Sequence, residues 1–310
     1  MSTSHSSAAR GGLSRRGFLA GSAAVAGATT LGLASGPAAA ATTSWRSGEV
    51  DVVLNADSLT VPSEIPFGVV TFNVRTTVQN GRSLLLVRLH EGVSVEDYLA
   101  NLARTSSRDP AERAEAARRL AEDSDYLGGS AVSGGVSTSF TQVLTQGTYH
   151  LINFNYASAS EIPPVREVRT AGPCGQIRFP GVDDLIIHRQ EGDQPVFHLP
   201  STRLKASGHH LVLNTARYGN EAVLARVRPG TTVEDMREYY AKMKSGNPPP
   251  PAESPVVSWP CGLSAISPGR SAVLRTDLPA GPYVLFSYII DPVTGYPPAY
   301  DGMFQLVTLV

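Results

Sequence analysis

The chain states one phrase twice, and this repetition constrains its fold more than any other feature. "GTYHLINFNY" at residues 147–156 returns as "GPYVLFSYII" at 281–290, a shift of 134. Upstream, a shift of 138 lays the stretch from Pro62 over the stretch from Pro200. Gly81 then falls on Gly219, Gly92 on Gly230, and Val95-Glu96-Asp97 on Val233-Glu234-Asp235. Agreement of turn glycines, an acidic motif and apolar runs, broken by one compact deletion, predicts a duplicated domain. The expected units are residues 42–158 and 184–310, joined by a Pro/Gly-rich linker or crossover at 159–183.

Each copy follows one plan. "VVTFNV", "SLLLVRL" and "YHLINF" in the first copy, and "HLVLNT", "AVLARV" and "YVLFSY" in the second, are short runs of β-branched, aromatic and leucine residues bounded by Gly, Asn or Pro. Such runs read as strands, and their near-continuous apolarity reads as cover on both faces. A helix interrupts the strands in each copy. Ser94 and Thr232 each stand three residues before an acid, so the hydroxyl caps a backbone N–H while the acids favour the positive helix end. Helices near 95–105 and 233–244 are expected, and in the first copy Asp109-Pro110 opens another over "PAERAEAARRLAED". The second copy replaces that helix with "SGNPPPPAESP", an extended exposed loop, because proline runs are not helical.

The N-terminal segment carries Arg15-Arg16 before Phe18-Leu19, a mild Ala/Gly-rich run and a small-residue zone at Ala38–Ala41. This is the three-part plan of an export signal, and its paired arginines resemble the twin-arginine translocation (Tat) motif. Residues 1–41 are expected to be cleaved, with the product secreted to the extracellular space. Their removal takes away Arg10, Arg15 and Arg16 and no acids, leaving 26 − 3 = 23 basic against 27 acidic residues, near −4. That balance, without a Lys/Arg run, argues against nucleic acid as a partner. No later stretch is apolar for long enough to span a membrane. The two cysteines, Cys174 and Cys261, are expected to form a disulfide in an oxidising compartment, worth about 4 to 5 kcal/mol on a chain-entropy account. The alternative, a pair of metal-binding thiolates, lacks any CxxC spacing.

The Gly-Thr-Tyr phrase leading into a buried strand, together with the Gly-Met of "DGMFQLVTLV" before a last strand, resembles the cupredoxin or plastocyanin-like family. The resemblance implies two tandem Greek-key β-sandwich domains, mainly β, each with a helical insertion. It also implies a copper-ligating cysteine six residues past the glycine, two histidines and an axial methionine, since soft sulfur with two imidazoles makes the blue-copper site. This sequence departs from that ligand set. Asn153 and Ser287 stand where the cysteine would be, no histidine follows either, Leu84–Leu86 and Asn220–Ala222 occupy the region of the first histidine, and only Met303 remains. The resemblance therefore implies the scaffold without a copper cofactor. Composition and signal also resemble secreted proteins of actinobacteria.

Chemistry elsewhere is sparse. His209 and His210 are neighbours in an expected strand and point to opposite faces; His188 and His198 flank a turn and are the remaining weak metal candidates with Met303. His90 and His150 lack partners at ligand spacing. "GGSAVSGG" at 128–135 lacks a nucleophile elbow and reads as a flexible loop before a strand. No catalytic residue is assigned. The loop "DPVTGYPPAYDGM" at 291–303 offers Tyr296, Tyr300, Asp291 and Asp301 on a proline-stiffened rim suited to binding. Three functions follow: a non-catalytic binding or structural protein whose partner is a cell-wall glycan or an extracellular protein, a metal-handling protein with a non-classical His/Met site, or an extracellular enzyme.

Overall fold

A computed structural model describes residues 48–154, 162–174 and 178–310. The expected signal, with Arg15 and Arg16, lies outside the described residues.

The strands of the first half are β1 (Glu49–Leu54), β2 (Leu59–Thr60), β3 (Glu64–Thr76), β4 (Arg82–Leu89), β5 (Ser124–Val132), β6 (Thr138–Leu144), β7 (Thr148–Phe154) and β8 (Val165–Cys174). Two helices, α1 (Val95–Arg104) and α2 (Pro110–Asp123), stand between β4 and β5. The second half contains β9 (Asp184–Glu191), β10 (Gln194–His198), β11 (Arg203–Leu204), β12 (Ser207–Asn214), β13 (Asn220–Arg226), α3 (Val233–Lys244), β14 (Cys261–Ile266), β15 (Ser271–Asp277), β16 (Gly281–Phe286) and β17 (Phe304–Leu309).

These strands form two layers. One runs β2-β1-β3-β6-β15-β12-β9-β10, and the other β8-β7-β4-β5-β14-β13-β16-β17. In the first half β6 crosses to the far layer and β7 returns beside β4, a Greek-key path. The start of β3 pairs with β8 before the strand changes layers and meets β6; β11, just ahead of β12, pairs with β17 in the same parallel sense. The protein is thus mainly β, a sandwich with helical insertions on one layer.

Both layers run unbroken across the junction of the halves. β5 pairs antiparallel with β14 (Leu263 opposite Ser130), and β6 pairs antiparallel with β15 (Leu274 opposite Phe140). One apolar core follows, holding Phe72, Leu84, Phe140 and Leu151 beside Leu224, Leu263, Leu274 and Leu285. Phe72 and Phe140 stack at 4.8 Å between centroids.

The caps read from sequence are present. Asp97 N–H donates to Ser94 Oγ (3.0 Å), Ala111 N–H to Asp109 Oδ1 (2.9 Å) and Asp235 N–H to Thr232 Oγ1 (3.2 Å). Thr232 N–H donates in return to Asp235 Oδ2 (2.8 Å), closing a capping box.

Two expectations need correction. Residues 128–132 are not a loop: they complete β5 and are buried. Their glycines serve close packing. A Cβ on Gly129 would stand 1.9 Å from Leu84 O, and the backbone there has φ +140°. Gly262 on β14 repeats the arrangement, with a Cβ 2.4 Å from Ala222 O at φ +149°. The expected joining segment at 159–183 contains the strand Val165–Cys174, which pairs with β7 and β3 around buried Val168. The second correction concerns Cys174 and Cys261, which are free thiols, one exposed and one buried. Cys174 ends β8 opposite Phe67 of β3, whereas Cys261 opens β14 opposite Leu224 of β13. Burial pushes the Cys261 thiol up, against the opposing effect of the Ser133 hydroxyl; the two sit 3.5 Å apart.

Candidate functional site

The helices do not cover the seam completely. A cavity of about 390 Å³ lies over the junction, within the size range of small-molecule sites. Its floor comes from β4, β5, β13 and β14 through Ser83, Leu85, Tyr126, Glu221, Ser264 and Ala265. Its walls come from α1 and α2 on one side and the end of α3 on the other. The loop between β16 and β17 closes it with Tyr288, Ile289, Tyr296 and Tyr300.

Two of the four loop residues expected from sequence therefore line the cavity. The ring of Tyr296 lies between two cations: the Arg113 guanidinium carbon is 4.6 Å from its centroid and Lys244 Nζ 4.9 Å. Such contacts gain strength where water is excluded. The Tyr300 hydroxyl meets that of Tyr288 at 2.5 Å. Asp301 forms an ion pair with Lys244, which itself lines the cavity. Asp291 does something local instead: its Oδ1 accepts N–H bonds from Val293 (2.7 Å) and Thr294 (2.9 Å), holding the turn.

The loop also fastens the halves together. Gly295 O accepts from Arg113 Nε (2.5 Å) and Pro292 O from Arg118 Nη1 (2.7 Å), so two arginines of α2 grip carbonyls from the other half.

Residues that the sequence reading did not single out supply most of the polar lining. Glu221 is buried on β13 at 3 % exposure and its Oε2 accepts the Tyr288 N–H (2.9 Å). Arg113 is 5 % exposed; its Nη1 donates to Ser107 O (3.2 Å), while Nη2 has no partner. Ser264 Oγ is likewise buried without a partner. Burial raises the Tyr126 and Tyr288 phenols well above their ordinary range, so both remain protonated at neutral pH. The available signal was an acid, Glu221, at the head of the apolar strand "NEAVLA", where a surface residue gains nothing.

The metal candidates are dispersed. His209 and His210 do face opposite sides of β12. His209 is a third exposed, 3.9 Å from Asp183, whereas His210 is fully buried between Asp184 (Nδ1 to Oδ2, 3.0 Å) and Thr276 Oγ1 (2.8 Å to Nε2). Burial lowers the His210 pKa, with Asp184 opposing. His188 is fully buried against Phe197, with neither ring nitrogen partnered, and burial pushes its pKa down to about 3. Register places His210 opposite Asp184 and Asn214 opposite His188, so the two buried imidazoles are about 13 Å apart along the strands. His198 is exposed on β10, and Met303 is buried ahead of β17 in the other layer. Among the described residues, no three His, Cys, Asp or Glu side chains are grouped to hold a metal ion.

The residues present do not fit a type 1 copper ion. Asn153, at the cysteine position of the first half, donates through Nδ2 to Asn55 O (2.8 Å) and Ser58 O (2.9 Å). Ser287, its counterpart, accepts the Glu221 N–H (3.1 Å) and donates to Asn220 Oδ1 (3.4 Å). Both are engaged in protein hydrogen bonds, and neither supplies a thiolate.

No helix among the described residues is long and apolar enough to cross a membrane. No protein-family model matches the chain, and no curated protein matches it. Among solved structures, auracyanin A, a "blue" copper protein from Chloroflexus aurantiacus, is 17 % identical over 40 % of this chain and 100 % of its own, with a TM-score of 0.28. A multicopper oxidase is 11 % identical over 84 % of this chain and 88 % of its own, with a TM-score of 0.22. The copper nitrite reductase of Nitrosomonas europaea is 12 % identical over 84 % of this chain and 94 % of its own, with a TM-score of 0.23. At such identities, and with TM-scores below one half, the architecture rests on the strand pairings themselves.

Proposed function

We propose that the chain is a secreted binding protein, exported by the twin-arginine route, whose two cupredoxin-like sandwiches arose by duplication. Its ligand is a small organic molecule held in the seam cavity. The observation that carries this reading is the cavity itself: both halves build it, apolar side chains and a few buried polar groups line it, and a two-sided loop closes it. Duplication is supported by matched details. Arg88 lies beside Gly147 and over Tyr149, whose hydroxyl donates to Thr145 O (2.8 Å); Arg226 lies beside Gly281, and the Tyr283 hydroxyl donates to Pro279 O (2.9 Å). Metal handling lacks a grouped ligand set among the described residues.

The test uses protein recovered through its own signal, with Arg15→Lys/Arg16→Lys as the variant expected to stay in the cell. Small aromatic and aliphatic alcohols, amides and acids are screened by thermal shift and calorimetry. Binding is expected in the wild type and is lost in Ala117→Phe, which fills the α2 wall. Absence of binding by every class, or equal binding in the filled variant, sinks the reading.

A further inference from the structure

We propose that the cavity selects a small organic carboxylate, with its anionic end on Arg113 and Ser264 and its hydrocarbon against Leu85, Leu102, Leu120 and Ile289. The inference rests on the ligand-binding reading above and gives it a chemical class.

It begins with charge. Three charged side chains line the cavity, and two are engaged: Lys244 with Asp301, and Glu221 with the Tyr288 N–H. Arg113 is different. It makes no ion pair with any described carboxylate, although nine-tenths of it and more is buried. Two carbonyl oxygens and the Tyr296 ring share its positive charge, yet they leave Nη2 without an acceptor. An uncompensated buried cation and an unmade bond from a charged donor are both costly. Glutamine or methionine would fill the same space without that cost.

A second donor is in the same condition. Ser264, on β14 in the floor, is buried and has no partner for its hydroxyl. Thus the lining presents a cationic N–H and a neutral O–H in need of acceptors, while its buried carboxylate already accepts from the backbone. A carboxylate answers both donors through its two oxygens, and charge-assisted bonds of this kind are about twice as strong as neutral ones. Leu85, Leu102, Ala117, Leu120, Ala265 and Ile289 form an apolar part of the same lining, which sets the remainder of the ligand as hydrocarbon or aromatic. The Tyr296 ring, held between Arg113 and Lys244, keeps the guanidinium in place without neutralising it.

The experiment titrates the mature protein at pH 7 with hexanoate, octanoate, phenylacetate and 3-phenylpropanoate, each beside its primary amide. At least one acid is expected to bind about tenfold more tightly than its amide, a difference of about 1.4 kcal/mol. Arg113→Gln is expected to cut the preference to about twofold while amide binding persists; Arg113→Lys, which keeps the charge, retains part of it. Because Arg113 also fastens the loop, Ser264→Ala provides a variant free of that role, with acid binding weakened about threefold. Equal binding of acids and amides by the wild type overturns the carboxylate proposal and leaves the binding reading standing. A preference undiminished in both Arg113→Gln and Ser264→Ala also overturns it. No binding by acids or amides overturns the proposal, and the alcohols of the wider screen then decide the binding reading.

Discussion

The two halves hold their strands alike and dress them differently. Between β4 and β5 the first half inserts two capped helices; between β13 and β14 the second inserts one helix and a proline-rich loop. Between β16 and β17 the second half inserts the loop whose carbonyls take Arg113 and Arg118 of the first. Neither insertion closes the seam alone. The comparison teaches that a pair of similar sandwiches acquires a cavity at their junction through the unequal parts, with the shared frame as a floor. The core differs at one instructive place as well. Leu54 opposes Thr76 in β1 and β3, while His188 opposes Asn214 in β9 and β12. Both side chains are fully buried, but only one of them takes up a proton.

The most severe test of the shared frame substitutes the glycines of β5 and β14. Gly129→Ala forces a Cβ into the Leu84 carbonyl at a backbone angle that L residues rarely adopt. A loss of about 4 kcal/mol in urea unfolding is expected, with about 3 kcal/mol for Gly262→Ala, where the overlap is smaller. If one variant unfolds and the other is neutral, the two bulged strands do not play the same part.

Next in size is a pH effect confined to the second half. Burial holds His188 neutral down to about pH 3 in the folded state, while in the unfolded chain it takes up a proton near pH 6.5. Its folded pKa is depressed, so its contribution is complete above pH 6.5 and declines as pH falls from there toward 3. The wild type should lose about 3 kcal/mol from this group between pH 7 and pH 4. His188→Leu, which copies the first half, should abolish that part of the loss. Identical pH profiles for wild type and variant in denaturant titrations would remove His188 as the source.

The smallest expected effect compares the helix caps. Thr232→Ala breaks a reciprocal capping box and Ser94→Ala the cap of α1, each costing about 1 kcal/mol, with Thr232 at the larger end. Thermal unfolding resolves the two, and a larger loss at Ser94 would reverse the ranking.

Much of the fold was legible because its determinants are local. Helix starts follow from Ser94, Asp109 and Thr232, and strand runs from short apolar segments bounded by glycine and proline. The misread stretch 128–132 shows where locality ends: glycines that look like a loop are a strand packed against a neighbouring carbonyl, which the residues in between do not reveal. Cys174 and Cys261 are unpaired for the same reason, since strand pairing sets one beside β3 and the other beside β13. Of the site, Tyr296 and Tyr300 were legible from a stiff loop, whereas Arg113 looked like one more arginine on an amphipathic helix.

Residue order alone determined the elements, their caps, the recurrence of the Gly-x-Tyr phrase and the want of a thiolate at Asn153 and Ser287. Backbone propensity and side-chain chemistry act over a few residues and are written where they act. Tertiary structure alone decided that β5 meets β14 and β6 meets β15, that a helix of one half meets a loop of the other, and that one arginine there is buried without a counter-charge. Those outcomes depend on which surfaces become neighbours in space, and burial converts an ordinary side chain into a costly, and therefore informative, one.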